Sequence, residues 1–589
     1  MRLRRKPAAV LASGVVAAMA LTACAGGDGS GEGSANVGGL EACVDDPNEC
    51  NTAERQEGGE LTWAMSSGWD AWNGNTAAGN SLYLTQATSG IAIPTGNFLP
   101  DGTWEWSTDL LVKEPELIEE DPMKVRYEIK PEAVWDDGTP VGSLDDFLFH
   151  RNSLTSDSDL CDKKCDPAAV SYGDNVESID EVDGGIEVTY VEGYLDPEWS
   201  FGVPISLPSH IATEEGFDWQ NDPAEMGDAA EWFNTQIPYW SAGPYKLDTD
   251  RVETGVSVSM VPNEAWFGEI KPTLDRINLV VISEQPTMLT ALENGEIHGS
   301  EPASLDPDVA EQAGDLSGVV SAIGTRLAWD HINMNLKNEF LSDIEVRKAI
   351  FTAISLDQIL DATYNPITDA EKRTNHVFPE SSEYHEDVIS DLGQGSGDIE
   401  AAKQILADAG YELDDDETLT MPDGSDIDPL SLVWLEGNTM REITMTLLQS
   451  TLQELGIPAN LNPNAPDALG STLAEGKFDI VEFGWIGSPQ FTGAPSQYWN
   501  SSSASNYAGI NSEDIDKATE AVMQTVDIDE AGKLANDAAK LVAAEYAILP
   551  VVTTPGLIAM SEDVANIRPN GSTQLGPFYN IGEWGLKAE

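Results

Sequence analysis

From Gly59 onward, short runs rich in β-branched and aromatic residues alternate with segments of helical periodicity. Six strands are predicted, at residues 59–65, 123–129, 185–191, 256–261, 276–282 and 477–484. Strands that alternate with amphipathic helices are typical of mixed β-sheets flanked by helices. The pattern therefore predicts an α/β fold, and we see no internal repeat at the period of a solenoid or a propeller.

Three helices are marked by their ends as well as by their apolar faces. The spacing of Ser342 and Glu345 predicts a capping box at the start of the first. Its apolar stripe follows at helical spacing and consists of Val346, Ala349, Ile350, Ala353 and Ile354. A second helix is predicted to open in the same way, with Thr439 as its cap and Glu442 three residues later, and a third to be capped by Asp398 and stopped by Gly410.

The first 23 residues combine a basic start with a short apolar run that ends in Leu-Thr-Ala-Cys. This pattern resembles a bacterial lipoprotein signal, in which Cys24 is lipidated and becomes the first residue of the mature chain. The alternatives are a plain secretory signal and a membrane span, but the run is shorter than the ~20 residues that a span needs. We therefore expect the protein to be lipid-anchored at the outer face of the cytoplasmic membrane, in the extracytoplasmic or periplasmic space.

Residues 24–58 are predicted to form a lipidated tether, since Gly and Ser dominate as far as about Gly39. The other four cysteines fall into two close groups, Cys43 with Cys50 and Cys161 with Cys165. Three disulfide pairings are open to four cysteines, and in an oxidising compartment we expect the two local pairs. A zinc site is the alternative, but no histidine lies near either group.

The chain is strongly acidic, with 30 Lys and Arg against 102 Asp and Glu and a formal net charge of -72. Because 41% of the residues are hydrophobic and only 22% are charged, wholesale disorder is excluded. A polyanion repels phosphate backbones, so no nucleic-acid partner is expected. Removal of residues 1–23 would leave 26 basic against 102 acidic groups, near -76. Such a surface suits saline surroundings, where ions screen the self-repulsion.

Catalytic motifs are scarce. The six histidines form no short metal-binding spacing, and no Walker, GxSxG or GxGxxG element follows a predicted strand. We expect a protein that is not an enzyme and that uses no cofactor and no metal. A secreted hydrolase or cell-wall factor is the alternative, and it would need a clustered acid/base pair in a cleft.

Nine short sequence blocks occur in one order along the chain. They are VRYEIK (125–130), WDDGTP (135–140), DDF (145–147), GPYK (243–246), NEAWFG (263–268), ALENGEI (291–297), NMN (333–335), VRKAI (346–350) and AAKQILADAGY (401–411). Together they resemble the family 5 extracellular solute-binding proteins, over residues 60 to 570 or so. The members of this family are the oligopeptide, dipeptide and nickel receptors of ABC importers.

The resemblance implies a two-lobed, periplasmic-binding-protein-like fold of type II, in the large form with an extra subdomain. Lobe I would contain residues 59–80, 190–320 and 550–589, the subdomain residues 81–189, and lobe II residues 321–549. A solute would enter the cleft between the lobes and stabilise a closed state that docks on the importer. The expected partners are a peptide or another small solute, the ABC permease and ATPase subunits, and the membrane through the lipid anchor. The protein itself is expected to be a monomer.

Gly484 and Trp485 follow an apolar strand and open a loop rich in Pro, Gly and aromatic residues. In the family this Gly-Trp element faces the cleft, and in peptide receptors an Asp three residues after the Trp holds the ammonium group of the peptide. Here Ser488 stands at that position. A hydroxyl gives no charge-assisted hydrogen bond to an ammonium group. Either another acid serves, with Asp70 and Asp330 as candidates, or the ligand is not a free-amine peptide.

The predicted ligand-binding residues lie in loops after strands, where α/β folds place ligands, or near a crossing between the lobes. They are Trp69, Trp72, Trp329, Asn333, Trp485, Ser488 and Phe491. For each tryptophan among them, core packing remains the alternative. Six further tryptophans are assigned to packing or surface corners: Trp104, Trp106, Trp135, Trp199, Trp266 and Trp584. A peptide is the predicted cargo, and a nickel complex, a sugar or another organic solute is the alternative.

Overall fold

The computed structural model describes residues 39–465 and 468–588. The predicted signal and the lipidation site Cys24 lie outside these residues. The last part of the predicted tether is described, and it carries a short 3₁₀ turn at Leu40–Val44. Both local disulfides are present, since Cys43 is bonded to Cys50 and Cys161 to Cys165. The predicted pairing of the cysteines is therefore confirmed.

Twenty strands form the sheets. They are β1 (Glu60–Met65), β2 (Gly96–Phe98), β3 (Trp104–Trp106), β4 (Glu116–Glu120), β5 (Met123–Tyr127), β6 (Val176–Val182), β7 (Gly185–Tyr190), β8 (Tyr245–Leu247), β9 (Ser257–Pro262), β10 (Arg276–Val281), β11 (Gly299–Ser300), β12 (Val319–Met334), β13 (Glu412–Leu413), β14 (Leu419–Thr420), β15 (Leu430–Leu435), β16 (Ala459–Asn464), β17 (Ile480–Ile486), β18 (Ile548–Ser561), β19 (Val564–Ala565) and β20 (Gly585–Leu586), within the described part of the chain.

Fifteen α-helices accompany them in the same residues. They are α1 (Leu82–Thr88), α2 (Leu144–Ser153), α3 (Ser171–Asn175), α4 (Ser209–Glu214), α5 (Pro223–Thr235), α6 (Gln285–Glu293), α7 (Pro307–Asp315), α8 (Ile344–Ala353), α9 (Leu356–Ala362), α10 (Ile399–Asp408), α11 (Thr439–Glu454), α12 (Leu469–Glu475), α13 (Ala494–Trp499), α14 (Glu513–Ala521) and α15 (Ile528–Ala544).

Ten strands form one mixed sheet in the order β16-β15-β17-β12-β18-β11-β1-β10-β9-β8. The long antiparallel strands β12 and β18 lie at its middle and belong to both halves. The first half of β12 pairs with the end of β18, beside β11 and β1, whereas its second half pairs with the start of β18 and with β17. The register between β12 and β18 shifts between Thr325 and Trp329, where one half of the sheet passes into the other. We call the half with β8 to β11 and β1 lobe I, and the half with β15 to β17 lobe II.

A separate antiparallel sheet of four strands, in the order β4-β5-β7-β6, packs with its own apolar core. Val125, Phe147, Trp219 and the disulfide cysteines Cys161 and Cys165 are buried in that core. Helix α2 covers this sheet, and Ser143 and Asp146 form a complete capping box at its start. The fold is therefore α/β with mixed sheets flanked by helices, as the alternation of patterns predicts.

The six predicted strands correspond to β1, β5, β7, β9, β10 and β17. The predicted helix starts are right to within one residue, but two of the capping residues are wrong. Asp343 rather than Ser342 caps α8, because the Ser342 hydroxyl donates to the Glu339 carbonyl instead. Asn438 rather than Thr439 caps α11. Asp398 caps α10 as predicted.

Candidate ligand site on the crossing strands

Three aromatic or polar side chains of β12 alternate along one face of the sheet: Trp329, His331 and Asn333. Opposite residues of an antiparallel pair share a face, and Trp329 is paired with Trp485 in β17. His331 is paired with Phe483 in the same register. The sheet therefore brings two of the predicted tryptophans and Asn333 together, and we call this surface of β12 and β17 the aromatic face.

Trp485 is oriented by two tyrosines that follow β17 in the chain, Tyr498 in α13 and Tyr507 in the loop after it. Its ring lies 4.5 Å from that of Tyr498 at an interplanar angle of 20°, and 5.8 Å from that of Tyr507 at 8°. Trp485 and Tyr507 are both half-buried, whereas Tyr498 is buried. Stacking of this kind fixes the plane of the indole while leaving part of it accessible to a ligand.

Trp329 is held in place by a buried cation. The Cζ atom of Arg373 lies 4.6 Å from the centroid of the Trp329 ring. Arg373 also donates to the carbonyls of Asn375 and Val377 and to the Thr553 hydroxyl in β18. Burial lowers the pKa of Arg373 to about 10, so the guanidinium stays protonated at neutral pH. Arg373 thus fixes Trp329 where β12 and β18 cross between the lobes.

His331 lies in the middle of the aromatic face and is uncharged. Burial lowers its pKa to about 3, although the nearby Asn333 side chain opposes this shift. Nδ1 of His331 lies 2.7 Å from Oδ1 of Asn333, which accepts the hydrogen bond when Nδ1 carries the proton. Asn333 is only 3% exposed, so its contact in this structure is with His331.

The opposite face of the same two strands carries buried charges. Asp330 forms an ion pair with Arg441 of α11, at 2.7 Å between Oδ1 and Nη2. Glu482 lies on this face too, and burial raises its pKa well above the usual value, with the charge of Asp330 acting in the same direction. A Cβ atom at Gly484 would lie 2.6 Å from Oδ1 of Asp330, so the pair packs directly on the glycine. Asp330, a candidate ammonium partner, is therefore neutralised by Arg441 and faces away from the aromatic face.

The loop after β17 contains two of the predicted ligand residues in different environments. Ser488 is exposed, and its hydroxyl accepts a hydrogen bond from the backbone N–H of Gln490, as in a turn. Phe491 is buried, and its ring packs against Phe378 and Tyr384 in a local core. Of these two, Ser488 is the side chain that a ligand can reach without rearrangement of the loop.

Trp69 and Trp72 lie in lobe I, after β1. Their rings meet edge to face at 5.3 Å, and both are buried in the apolar cluster of that lobe. The Trp72 indole donates to the hydroxyl of Thr254. Asp70, between them, is exposed. The structure therefore keeps this pair apart from the residues that β12 and β17 bring together.

Two cavities lie away from the aromatic face. One, of about 280 Å³, is lined by Trp72, Trp135 and Trp240. The other, of about 1260 Å³, lies on lobe I and is lined by the segment 48–57 and the C-terminal turn around Tyr579. Neither is lined by Trp329, Trp485 or Ser488.

Several residues of the aromatic face are not identified by sequence reasoning. They are His331 on the face itself and Arg373, Tyr498 and Tyr507, which pack against its tryptophans. The alternation along β12 could have indicated His331, two residues after Trp329. Arg373 and the two tyrosines come from distant segments, and their approach depends on tertiary packing that leaves no local signal.

Two further observations concern the described residues. None of their helices has both the length and the apolar character needed to cross a membrane. Their His, Cys, Asp and Glu side chains form no group of three or more that is placed to hold a metal ion.

Comparison with known proteins identifies the family. Residues 107–507, more than half of the chain, match the family described as "Bacterial extracellular solute-binding proteins, family 5 Middle". The oligopeptide-binding protein OppA of Mycobacterium tuberculosis (strain ATCC 25618 / H37Rv) is 27% identical over 573 residues, which cover 95% of this chain and 91% of that protein.

Two solved structures show the same architecture. The periplasmic EDTA-binding protein EppA is 29% identical, with a TM-score of 0.83 and coverage of 92% of this chain and 99% of that one. AppA from Bacillus subtilis, in complex with a nonapeptide, is 20% identical, with a TM-score of 0.67 and coverage of 91% and 100%. At 20% identity, the similarity to AppA shows that the two proteins share the two-lobed fold, and nothing about a shared ligand. With this fold and this family match, the chain belongs to family 5 of the bacterial extracellular solute-binding proteins and is a solute-binding receptor.

Proposed function

We propose that this protein captures peptides between its two lobes and delivers them to the permease of an ABC importer. The observation that carries this proposal is the pairing of Trp329 with Trp485 on β12 and β17, at the crossing between the lobes. Trp485 is half-buried and Trp329 is buried in this structure, so a ligand would reach Trp485 first and Trp329 only when the lobes open. Aromatic faces bind the backbone and side chains of varied peptides, because such contacts need no particular sequence. The similarity to an oligopeptide-binding protein over 95% of this chain supports a peptide cargo.

The receptor acts by closing and carries out no chemistry on its ligand. A solute that contacts both lobes binds the closed state more tightly than the open one, and this difference in affinity shifts the population. The closed form then docks on the permease, while separate subunits hydrolyse ATP. The other ligand-binding residues of the proposal are Trp69, Trp72, Asn333, Ser488 and Phe491. In this structure Trp485 is half-buried and Ser488 is exposed. The others, together with Trp329, are buried here and would have to become exposed when the lobes open.

Lipidation of Cys24 would anchor this receptor as a monomer at the outer face of the cytoplasmic membrane. The Gly/Ser-rich segment after Cys24 would act as a flexible tether. The proposed domain limits are those of the resemblance: residues 59–80, 190–320 and 550–589 for lobe I, 81–189 for its subdomain, and 321–549 for lobe II.

A non-peptide solute is the second candidate cargo, and two observations favour it. Ser488 offers a hydroxyl where peptide receptors of this family carry a carboxylate, and Asp330 is already paired with Arg441. EppA, with 29% identity over most of both chains, is named as a binder of a polycarboxylate chelator. In this alternative the receptor closes in the same way on a different organic solute or a metal complex.

Isothermal titration calorimetry with three kinds of probe separates these cargoes. The probes are mixed peptides of three to nine residues with free N-termini, the same peptides N-acetylated, and EDTA with and without a bound divalent metal. The proposal predicts saturable binding of the peptides. If only the chelator binds, the cargo is a polycarboxylate or its metal complex and not a peptide. If no probe binds, the result counts against both candidate cargoes.

A further inference from the structure

A turn in the segment between β7 and α4 contacts lobe II far along the chain. The carboxylate of Glu198 accepts a hydrogen bond from the backbone N–H of Thr492, at 3.0 Å. The indole N–H of the next residue, Trp199, donates to the carbonyl of Val526, also at 3.0 Å. Within the described residues, Glu198 and Trp199 are the only members of the segment 39–318, before β12, that form a hydrogen bond or ion pair with residues 335–547, between β12 and β18. We call these four residues the closing contact.

Both sides of the closing contact are attached to packed structure. Two residues after Trp199, the ring of Phe201 packs at 5.3 Å against Phe98 and at the same distance against Trp104. On the other side, Phe491, next to Thr492, and Val522, four residues before Val526, are buried together in an apolar cluster of lobe II. Because neither side is a free loop, a movement of one lobe against the other must break both hydrogen bonds together.

The partner of Glu198 is a neutral backbone group, so its charge is not compensated. Contact with lobe II leaves the Glu198 carboxylate half-buried, and no cation is paired with it among the described residues. The charged group that acts on it is Asp196 of the same turn, and Tyr194 lies close by. From lobe II, the backbone N–H groups of Phe491 and Thr492 and the Thr492 hydroxyl stabilise the carboxylate and so oppose the rise in its pKa.

We propose that the closing contact holds the lobes together and that protonation of Glu198 strengthens it. This inference rests on the proposed capture of a solute by lobe closure. A protonated carboxyl still accepts the Thr492 N–H through its carbonyl oxygen, but it places no charge in the interface. Trp199 contributes a hydrogen bond that does not depend on pH in this range.

The direction of the pH effect follows from linkage. Burial raises the pKa of Glu198 to about 7, and Asp196 adds to the shift while the Thr492 N–H opposes it. When the lobes separate, the carboxyl enters water and its pKa returns toward about 4.3. The closed state therefore binds the proton more tightly, so closure is favoured below the pKa of the open state and is weakened as pH rises through about 7. The change is at most about tenfold per pH unit.

Hydrogen–deuterium exchange of the full-length protein, with no ligand added, tests the proposal. Exchange is measured for segments that contain Phe491 and Thr492 and for the segment around Val526. Glu198→Gln keeps an acceptor oxygen without the charge and so imitates the protonated acid. We expect the wild type to exchange faster than this variant, and the ratio of the two exchange rates to be on the order of tenfold larger at about pH 8 than at about pH 5.5.

Further variants test the contact itself. Glu198→Ala and Trp199→Phe should each accelerate exchange in both segments about tenfold or more at about pH 5.5, because opening exposes the two together. Glu192→Ala, an exposed glutamate before the same turn, is the matched control and should change neither segment. Unchanged exchange in Glu198→Ala would overturn the closing contact. If the ratio of the wild-type exchange rate to that of Glu198→Gln is equal at both pH values, protonation of Glu198 does not control the closing contact. These exchange measurements contain no ligand. If the protein fails to bind peptides in a separate titration, the proposed cargo is wrong, but the conclusions about the closing contact are unaffected.

Discussion

Trp329 and Trp485 lie directly opposite each other on β12 and β17, at the point where the central sheet passes from one lobe to the other. Arg373 is stacked on the first and Tyr498 on the second, so both indoles are fixed from behind. The arrangement places a half-buried indole, Trp485, beside a buried one, Trp329, in a rigid aromatic cluster at the crossing between the lobes. Rigid aromatic side chains lose little entropy when a ligand binds, which suits a receptor of varied cargo.

Truncation of Trp485 should weaken binding. We expect Trp485→Ala to lower the affinity for a peptide that binds the wild type by at least about tenfold, because a central aromatic contact is lost. Trp485→Phe should retain most of the affinity, since the ring can still pack against Tyr498. Calorimetric titration gives both values. Trp106→Ala, a half-buried residue of β3, is the control and should bind as the wild type does. Equal affinities for Trp485→Ala and the control would contradict the assignment.

Replacement of Ser488 by an acid should change the selectivity for the peptide N-terminus. A carboxylate can pair with an ammonium group through a charge-assisted hydrogen bond, which is worth about 1.5–3 kcal/mol. Ser488→Asp should therefore raise the preference for a free-amine peptide over its N-acetylated form by roughly tenfold. Ser488→Asn adds a similar volume without charge and should leave the ratio unchanged. An identical ratio in all three proteins would show that position 488 does not contact the ligand terminus.

The buried pair of Asp330 and Arg441 should support the fold rather than the ligand. Arg441→Met leaves an uncompensated carboxylate inside lobe II, and we expect it to lower the free energy of unfolding by about 3–5 kcal/mol. The matched control is Lys517→Met, which breaks the exposed pair with Glu513 and should cost less than about 1 kcal/mol. Urea denaturation followed by circular dichroism measures both. Equal losses in the two variants would contradict the buried character of the first pair.

The stability of the protein should fall below pH 6.5 in part because of His331. Burial holds its pKa at about 3, whereas an unfolded histidine titrates near about 6.5. Between these values the unfolded chain binds more protons, so the free energy of unfolding decreases as pH falls, by up to about 1.4 kcal/mol per unit. His331→Phe removes this contribution while it preserves an aromatic ring. The urea midpoint of the variant should change less between about pH 7 and about pH 5 than that of the wild type. Parallel profiles would contradict a neutral, buried His331.

Local sequence patterns predict much of the fold. The apolar stripe from Val346 to Ile354 is buried as the periodicity indicates, and the six predicted strands are present. The pattern that starts at Ser342 locates a helix but not its cap, because the choice between Ser342 and Asp343 depends on the backbone conformation of the turn. The disulfides also follow from spacing and compartment, since both close short loops.

The candidate site is less predictable because its contacts join distant segments. From the sequence, Asp330 is a candidate partner for a ligand ammonium group. In the structure it is paired with Arg441 on the sheet face opposite the aromatic face. Trp199, assigned to packing or a surface corner, donates a hydrogen bond across the lobes. For both residues the sequence shows which interactions the side chain can form, but not with which partner. The strand register determines the partner of Asp330, and the approach of the lobes determines that of Trp199.

High salt should stabilise the protein. The net charge of -72 produces strong self-repulsion in the compact state, and ions at molar concentration reduce the screening length to about 3 Å. We expect the melting temperature to rise substantially between low and molar NaCl in differential scanning calorimetry. Sucrose at matched osmolality is the control and distinguishes screening from general exclusion effects. A melting temperature that does not depend on NaCl would mean that the acidic surface serves solubility alone.

The most direct test of peptide capture is native mass spectrometry of the full-length protein after purification without denaturant. The Trp485→Ala variant, purified in parallel, reports whether a bound solute depends on the aromatic face. We expect the wild type to carry a set of peptide masses, confirmed by fragmentation, and the variant to have lost most of them. A single non-peptide mass, or equal peptide occupancy in both proteins, would contradict it.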